Sequence, residues 1–337
     1  MNSILYKVGI IGMGRMGEIR KKEIENHTHF ELKAVTDVNL EVQKKYSKIF
    51  LNTWEEVLGS GIDAVFICTF NDIIPEIVCK ALEKGIHVFS EKPPGKSIAC
   101  VEKMKKSKDH SPHQVLKFGF NHRFHYSILR AKELIESGQF GKILWARGSY
   151  GKAAETDFAN AWRSNMDQAG GGILLDQGIH MADLLIHFMG NFVEIKSMVE
   201  SQFWDIPMED NAYSLLKSEK GAVAMLHSSA THWKNHFSLE IGLDSGLIHL
   251  DGILSNSMSY APEVIKVYKK DLNPTDRKLG NPVVQEESFT KDDSWKLEIE
   301  DFYQALRNKS DPQYGTIDDA MSVMKLIYGI YNNAKKN

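Results

Sequence analysis

A paired-cysteine pattern, long apolar runs and a surplus of either charge are all missing from this sequence. Its three cysteines, Cys68, Cys79 and Cys100, are an odd number without a Cys-x-x-Cys pair, which argues against a disulfide framework. Cys68 lies in an apolar strand pattern, so reduced thiols in a cytoplasmic protein are expected. No apolar stretch approaches the length of a bilayer crossing, and the first strand pattern starts within a few residues of Met1. Neither a membrane span nor a signal peptide is therefore expected. A net charge of −3 over 337 residues offers no basic face for nucleic acid or for a membrane surface. There is no Gly-x-Ser-x-Gly elbow, no paired cysteine nucleophile, no Walker sequence, no internal repeat and no low-complexity tract. What remains is a chain of ordinary composition, 42% hydrophobic and long enough for two domains.

The first 120 or so residues alternate short β-branched runs with helical patterns, which predicts a parallel, doubly wound α/β sheet. Strands are expected at Tyr6–Ile11, Phe30–Thr36, Ala64–Cys68, His87–Ser90 and Leu116–Phe120, with helices between them. Asn71 and Asp72 would cap the helix that starts near Pro75. Beyond Asn121 the pattern changes to longer alternating strands joined by short turns, such as Glu219-Lys220-Gly221 and Asp244-Ser245-Gly246. This predicts an α+β domain with a large open, mainly antiparallel sheet and helices on one face. Strands are expected at Ile143–Tyr150, Val193–Phe203, Ala212–Ser218, Ala222–Ala230, Phe237–Leu243, Gly246–Asp251 and Val264–Lys269. A helix is expected around Ile173–Phe188, and two more, Ser294–Asn308 and Ile317–Ala334, close the chain, with Asp292 or Asp293 capping the first. The expected division is therefore residues 1–121 and 122–337, with the exposed sheet face as an oligomer surface.

Within the first domain, Val8–Ile11 leads into Gly12-Met13-Gly14-Arg15-Met16-Gly17, and Asp37 follows at the tip of the next strand. This strand, glycine turn, helix, strand and acid form a dinucleotide-binding arrangement. Gly12 permits the tight turn, Gly14 lets backbone approach a pyrophosphate, and Gly17 lets the helix pack against the strand. The helix start, with Arg15 and Met16, presents N–H groups to the phosphates. Asp37 accepts from both ribose hydroxyls and repels a 2′-phosphate, which favours NAD over NADP.

Two further stretches bear chemistry. Glu91-Lys92-Pro93-Pro94 follows a strand of the parallel sheet, so Lys92 is expected outside its carboxyl end, within reach of substrate hydroxyls and the cofactor ribose. Gly170-Gly171-Gly172 precedes Asp176 and His180, which at i,i+4 spacing share a helix face and can handle a proton together. No third ligand completes a metal site. Trp162-Arg163 ends a loop of small and polar residues, Gly151–Asn160; an indole beside a guanidinium can stack on a sugar and grip hydroxyls or an anion. The other histidines, among them His122 and His125 on either side of Arg123 and the pair His232 and His236, read as structural.

In these residues the chain resembles the glucose–fructose oxidoreductase, inositol dehydrogenase and rhizopine catabolism family, Gfo/Idh/MocA. The marks are the glycine turn with Asp37, Thr69-Phe70-Asn71, Glu91-Lys92-Pro93, Gly119 to Phe124, Trp162-Arg163, and the Gly170 to Asp183 stretch. The resemblance spans nearly the whole chain and implies that Lys92, Asp176 and His180 are catalytic, with Thr69, Asn71 and Glu91 near the nicotinamide. Phe70, Ile74 and Arg20 depart from residues common in the family. The implied reaction is reversible NAD-linked oxidation of a secondary alcohol on a sugar, sugar derivative or inositol. His180 would be the base, Lys92 would stabilise charge on the oxygen, and Asp176 would hold both. Arg123, Tyr150, Lys152, Trp162 and Arg163 would line the substrate side. Lys152 and Arg163 suit a uronate or nucleotide-linked sugar, but a neutral inositol or aldose is also compatible. An NAD-dependent glycosidase and a non-catalytic dinucleotide-binding regulator are the alternatives. The expected partners are a small sugar or polyol and further copies of the chain, as a homodimer or homotetramer, with no nucleic acid or membrane.

Overall fold

The computed structural model describes residues 4–153, 162–255, 257–270 and 282–335. The chain forms two compact units. The first takes the chain up to Asn121 and also Asp167–Gly170 and Trp295–Met324, segments that the sequence division assigns to the second domain. The second takes His122–Met166, Gly171–Ser294 and the chain from Lys325 onward.

In the first unit, five strands alternate with helices: β1 (Tyr6–Ile11), α1 (Arg15–Asn26), β2 (Phe30–Thr36), α2 (Leu40–Lys45), α3 (Trp54–Gly59), β3 (Ala64–Ile67), α4 (Ile74–Glu83), β4 (His87–Ser90), α5 (Ile98–His110) and β5 (Leu116–Phe118). All pairings are parallel, in the order β2-β1-β3-β4-β5. The order reverses between β1 and β3, and ligands of such sheets bind outside the carboxyl ends of the strands at that point. The strands are apolar on both sides because both faces are covered. On one side Phe30, Phe66 and Phe89 pack against Ile299 and Phe302 of α9 (Ser294–Asn308), so this late helix belongs to the first core. The α4 cap differs from expectation. The N-cap is Ile73 without a side-chain bond, and the Asn71 amide instead donates to Ala169 O at 2.9 Å.

The second unit holds α6 (Tyr126–Glu136), β6 (Ile143–Ala153), α8 (Ile179–Met189) and strands β7 (Phe192–Glu200), β8 (Asn211–Ser218), β9 (Val223–Ser229), β10 (Thr231–Leu243), β11 (Gly246–Asp251), β12 (Glu263–Lys269) and β13 (Val284–Phe289). The short α7 (Met166–Ala169) precedes α8, and α10 (Ile317–Ala334) closes the chain. The eight strands run β13-β12-β11-β10-β6-β9-β8-β7, antiparallel except for β6 with β9. Asp292 caps α9, accepting from Ser294 N at 2.9 Å, whereas Asp293 accepts from the Tyr126 hydroxyl at 2.7 Å. Strand β13 was not expected: Val-Gln-Glu-Glu-Ser-Phe lacks apolar alternation because it is an exposed, charged edge strand. β10 starts at Thr231 rather than Phe237, across a register shift between Thr231 and His236 that hides the alternation. The loop expected over Gly151–Asn160 lies outside the described residues from 154 onward; β6 continues through Ala153. No helix among the described residues is long and apolar enough to cross a membrane.

Candidate active site

The glycine turn fits a dinucleotide by its shape. Gly12 has φ +90°, and a Cβ there would stand 2.4 Å from Cys68 O; a Cβ on Gly17 would stand 2.1 Å from Gly12 O. Side chains are thus excluded at both positions, while Gly14 faces open space, with nothing within 4 Å of such a Cβ. Gly14 is also the N-cap of α1 and offers no side-chain cap, which suits backbone N–H groups left for a pyrophosphate. Arg15 is exposed and Met16 half-buried beside it. Asp37 follows β2 directly; its Oδ2 accepts from Met13 N at 2.6 Å and its Oδ1 from Asn39 N at 2.8 Å. Each oxygen keeps a lone pair for a ribose hydroxyl, and the acid braces the turn that it adjoins.

Thr69 and Asn71 follow β3, and Glu91 and Lys92 follow β4, all beyond the carboxyl ends of the parallel strands. Lys92 is half-buried, and its peptide bond to Pro93 is cis. The Glu91 carboxylate, expected at the cofactor, is buried against the first helix. Arg20 Nε donates to Glu91 Oε1 at 2.7 Å, and Arg20 Nη2 reaches Glu298 Oε2 of α9 at 2.7 Å. Sequence reasoning missed this triad, since its members lie 71 and 278 residues apart.

In the second unit, a π-helical turn, Leu174–Gly178, runs directly into α8 and carries Asp176, with His180 in the first turn of α8. Such turns recur at functional sites. The charge of Asp176 reaches the Tyr150 hydroxyl. Arg163 Nε donates to Asp176 Oδ1 at 3.1 Å, and the Arg163 guanidinium lies 4.5 Å over the Trp162 ring. His180 is 5% exposed and lies in a box of rings: His122 stacks on it at 3.8 Å and Tyr150 is 6.4 Å away. Burial pushes the Tyr150 phenol well above its ordinary value, with Tyr260 and Asp176 adding to the effect, so it stays protonated. Lys152 lies two residues along β6 from Tyr150, on the same side of the strand, and is half-buried. Arg123 is placed differently from a substrate clamp. Buried in the turn Asn121–Phe124, it makes two bonds to Asp183 of α8, at 2.9 Å and 2.6 Å.

Glu209 is the other residue that sequence reasoning missed. Its carboxylate accepts from Gly172 N at 3.0 Å, Leu174 N at 3.0 Å and the Tyr331 hydroxyl at 2.7 Å. Burial raises its pKa in spite of these bonds. Gly172 is obligatory here, since a Cβ would stand 2.1 Å from Glu209 O. The chain that leads into Asp176 and His180 is therefore pinned at its start. No short-range pattern announces an acid 37 residues from Gly172.

Residues 6–117 match the model of the oxidoreductase family with an NAD-binding Rossmann fold, and residues 128–249 match the GFO/IDH/MocA C-terminal domain. The chain belongs to the GFO/IDH/MocA family. Myo-inositol 2-dehydrogenase of Thermotoga maritima is 26% identical over 236 residues, 66% of this chain and 68% of that one. The uncharacterized oxidoreductase YrbE of Bacillus subtilis is 26% identical over 235 residues, 66% of each chain. The matched stretch thus spans about two thirds of the length of each of these relatives. Levoglucosan dehydrogenase, solved in complex with NADH and levoglucosan, shares the fold with a TM-score of 0.86 over 98% of this chain and 97% of that one, at 20% identity. The Rossmann match of this GFO/IDH/MocA protein lies in the first unit, and the match to the family's C-terminal domain lies in the second apart from Asp167–Gly170.

Proposed function

We propose that this protein is an NAD-dependent dehydrogenase that oxidises a secondary alcohol of a sugar, sugar derivative or inositol, reversibly. The observation that carries the reading is the meeting of His180, Asp176 and Tyr150 in the second unit of a chain whose first unit keeps the glycine turn, Asp37 and Lys92. NAD, when bound, would supply the acceptor for the hydride that leaves the carbinol carbon. Gly12, Gly14, Gly17 and the α1 N-terminus would hold its pyrophosphate, Asp37 its adenosine ribose in preference to a 2′-phosphate, and Thr69 and Asn71 its nicotinamide side. His180 takes the hydroxyl proton as the carbonyl forms. Lys92 donates a hydrogen bond to the same oxygen and stabilises the charge that develops there. Asp176, held by Arg163, orients the turn that presents His180. Tyr150, Lys152 and Trp162 line the substrate side. Glu91 and Arg123, committed to Arg20 and Asp183, act as positioning residues.

A panel of inositols, free sugars, uronates and sugar nucleotides, read by NADH absorbance, tests the reading. One member should reduce NAD stoichiometrically, and more slowly with NADP. Release of sugar with no net absorbance change would assign the chain to glycoside hydrolysis instead. Lys92→Ala should lose about 10²-fold in kcat while its Kd for NAD stays within about twofold of wild type. Equal losses in both would make Lys92 a binding residue.

The β7, β8 and β9 face away from α10 exposes Met198, Tyr213, Leu215, Val223 and Met225. A patch of this kind on adjacent strands marks an interface. A second copy of the chain, presenting the same face, is the partner we assign to it, in a homodimer or homotetramer. Sedimentation should show a dimer or tetramer that Leu215→Glu dissociates; a monomeric wild type would remove the assignment. The free thiols of Cys68, Cys79 and Cys100 suit a cytoplasmic location.

A further inference from the structure

We propose that His122 is a positioning residue for the proton chemistry, keeping the His180 imidazole uncharged by competing with it for a single proton. This rests on the reading of His180 as the base. The two rings lie 3.8 Å apart and 15° from parallel, and both residues are buried, 7% and 5% exposed. Two imidazolium rings at that separation repel each other, so the pair accepts its protons in two well-separated steps.

The surroundings decide which ring takes the first proton. On the π turn and α8 stand Asp176 and Asp183; Arg163 neutralises the first and Arg123 the second. On β6, Tyr150 stays protonated, with its hydroxyl 3.1 Å from His122 Nε2, and Tyr260 stands 5.3 Å from the Tyr150 ring. On β10 the neighbour is Phe237, 6.2 Å from His122. Beside His122, His125 stands edge-on at 5.5 Å, with its Nδ1 3.0 Å from Glu263 Oε2. Burial opposes ionisation of Glu263, but the bond from His125 and backbone N–H groups hold its carboxyl below the ordinary value. All three carboxylates are already matched, Asp176 and Asp183 to arginines and Glu263 to His125, so the hydrogen-bond partner of His122 decides. The Tyr150 oxygen can accept from a protonated His122 Nε2. The first proton therefore goes to His122, and His180 remains a neutral base down to the second, lower step.

The sign of the test follows. His122→Gln keeps a partner for the Tyr150 hydroxyl but cannot titrate, and His122→Phe keeps a stacked ring. In either variant His180 titrates alone, at higher pH than beside a charged neighbour. The acid limb of kcat/KM for oxidation should therefore move up by about one pH unit. The second readout is independent of turnover: histidine ring carbons of the full-length protein, followed by NMR from pH 5 to 9, with His180 assigned by its loss in His180→Asn. The His180 midpoint should rise by the same amount in both folded variants. Midpoints within about 0.3 unit of wild type would overturn the proposal and leave His122 a packing residue. A His180 resonance that moves while the rate profile stays still would uphold the stacking effect and remove His180 as the base.

Discussion

Replacing His180 with asparagine is expected to lower kcat/KM for alcohol oxidation by about 10²–10⁴, the range supplied by a positioned general base. Asparagine can still hydrogen-bond a hydroxyl but cannot accept its proton. In wild type the oxidation rate should rise with pH through one ionisation and then level off, since an imidazolium cannot take a proton and the neutral ring can. The variant should lose that limb as well as the rate. The loss belongs to chemistry rather than folding, because the segment that carries residue 180 is held by contacts the substitution leaves in place. Glu209 pins its start through Gly172 and Leu174, and Arg123 grips Asp183 one turn further on. Thermal unfolding of the variant should therefore stay close to that of wild type while turnover collapses. A variant within tenfold of wild type that keeps the same pH limb would place the base elsewhere. Reduction of the ketone should fall in parallel, since the same group returns the proton.

What could be read in advance depended on how far apart the interacting residues lie. Strands β1 and β2 were legible to the residue, because glycine chemistry and apolar runs are local signals. The helical stretch that carries Asp176 and His180 was legible for the same reason, because its apolar periodicity is local. The bond of Arg163 to Asp176, 13 residues on, is a pairing with no periodic signature. The stacking of His122 on His180 joins residues of a turn and a helix, so His122 read as structural. Likewise the heptad-like apolar face of α9 announces a helix and says nothing about which core it enters. That it fills the first core through Phe302 and Ile299 follows from the shape of the Phe30, Phe66 and Phe89 surface, which exists only once the parallel sheet has formed. Strand β13 escaped because an edge strand is protected by charge, and charge erases the alternation by which strands are recognised.

The same helix makes Arg20 the most demanding residue outside the chemistry. Arg20→Met is expected to destabilise the protein by about 3–5 kcal/mol, the range for removing one member of a buried ionic group. The guanidinium is wholly buried, lying 4.3 Å over Phe89 and 4.8 Å over Trp295 and bridging Glu91 and Glu298. Methionine keeps the apolar contacts but leaves two acids without their cation. Burial already pushes Glu298 up to about 7, against the pull of Arg20 and Lys117. Since that folded pKa lies above the ordinary 4.5, the native state holds a proton that the unfolded chain releases. Glu298 therefore erodes wild-type stability as pH rises between about 4.5 and 7, and the erosion is complete above that window. Without Arg20 the pKa rises further and the window extends upward, so the variant's deficit should be largest near pH 8 and shrink near pH 5. Urea titrations at the two pH values measure this directly. Adding Glu298→Gln to Arg20→Met should recover part of the loss, because it removes one of the stranded charges. A deficit under about 1 kcal/mol at pH 8, or one independent of pH, would mean that the triad does not hold its charges as drawn. Glu91 is bonded to Lys92 along the backbone, so the recovered double variant is also expected to regain turnover in step with stability, linking the buried triad to the lysine that stands next to it.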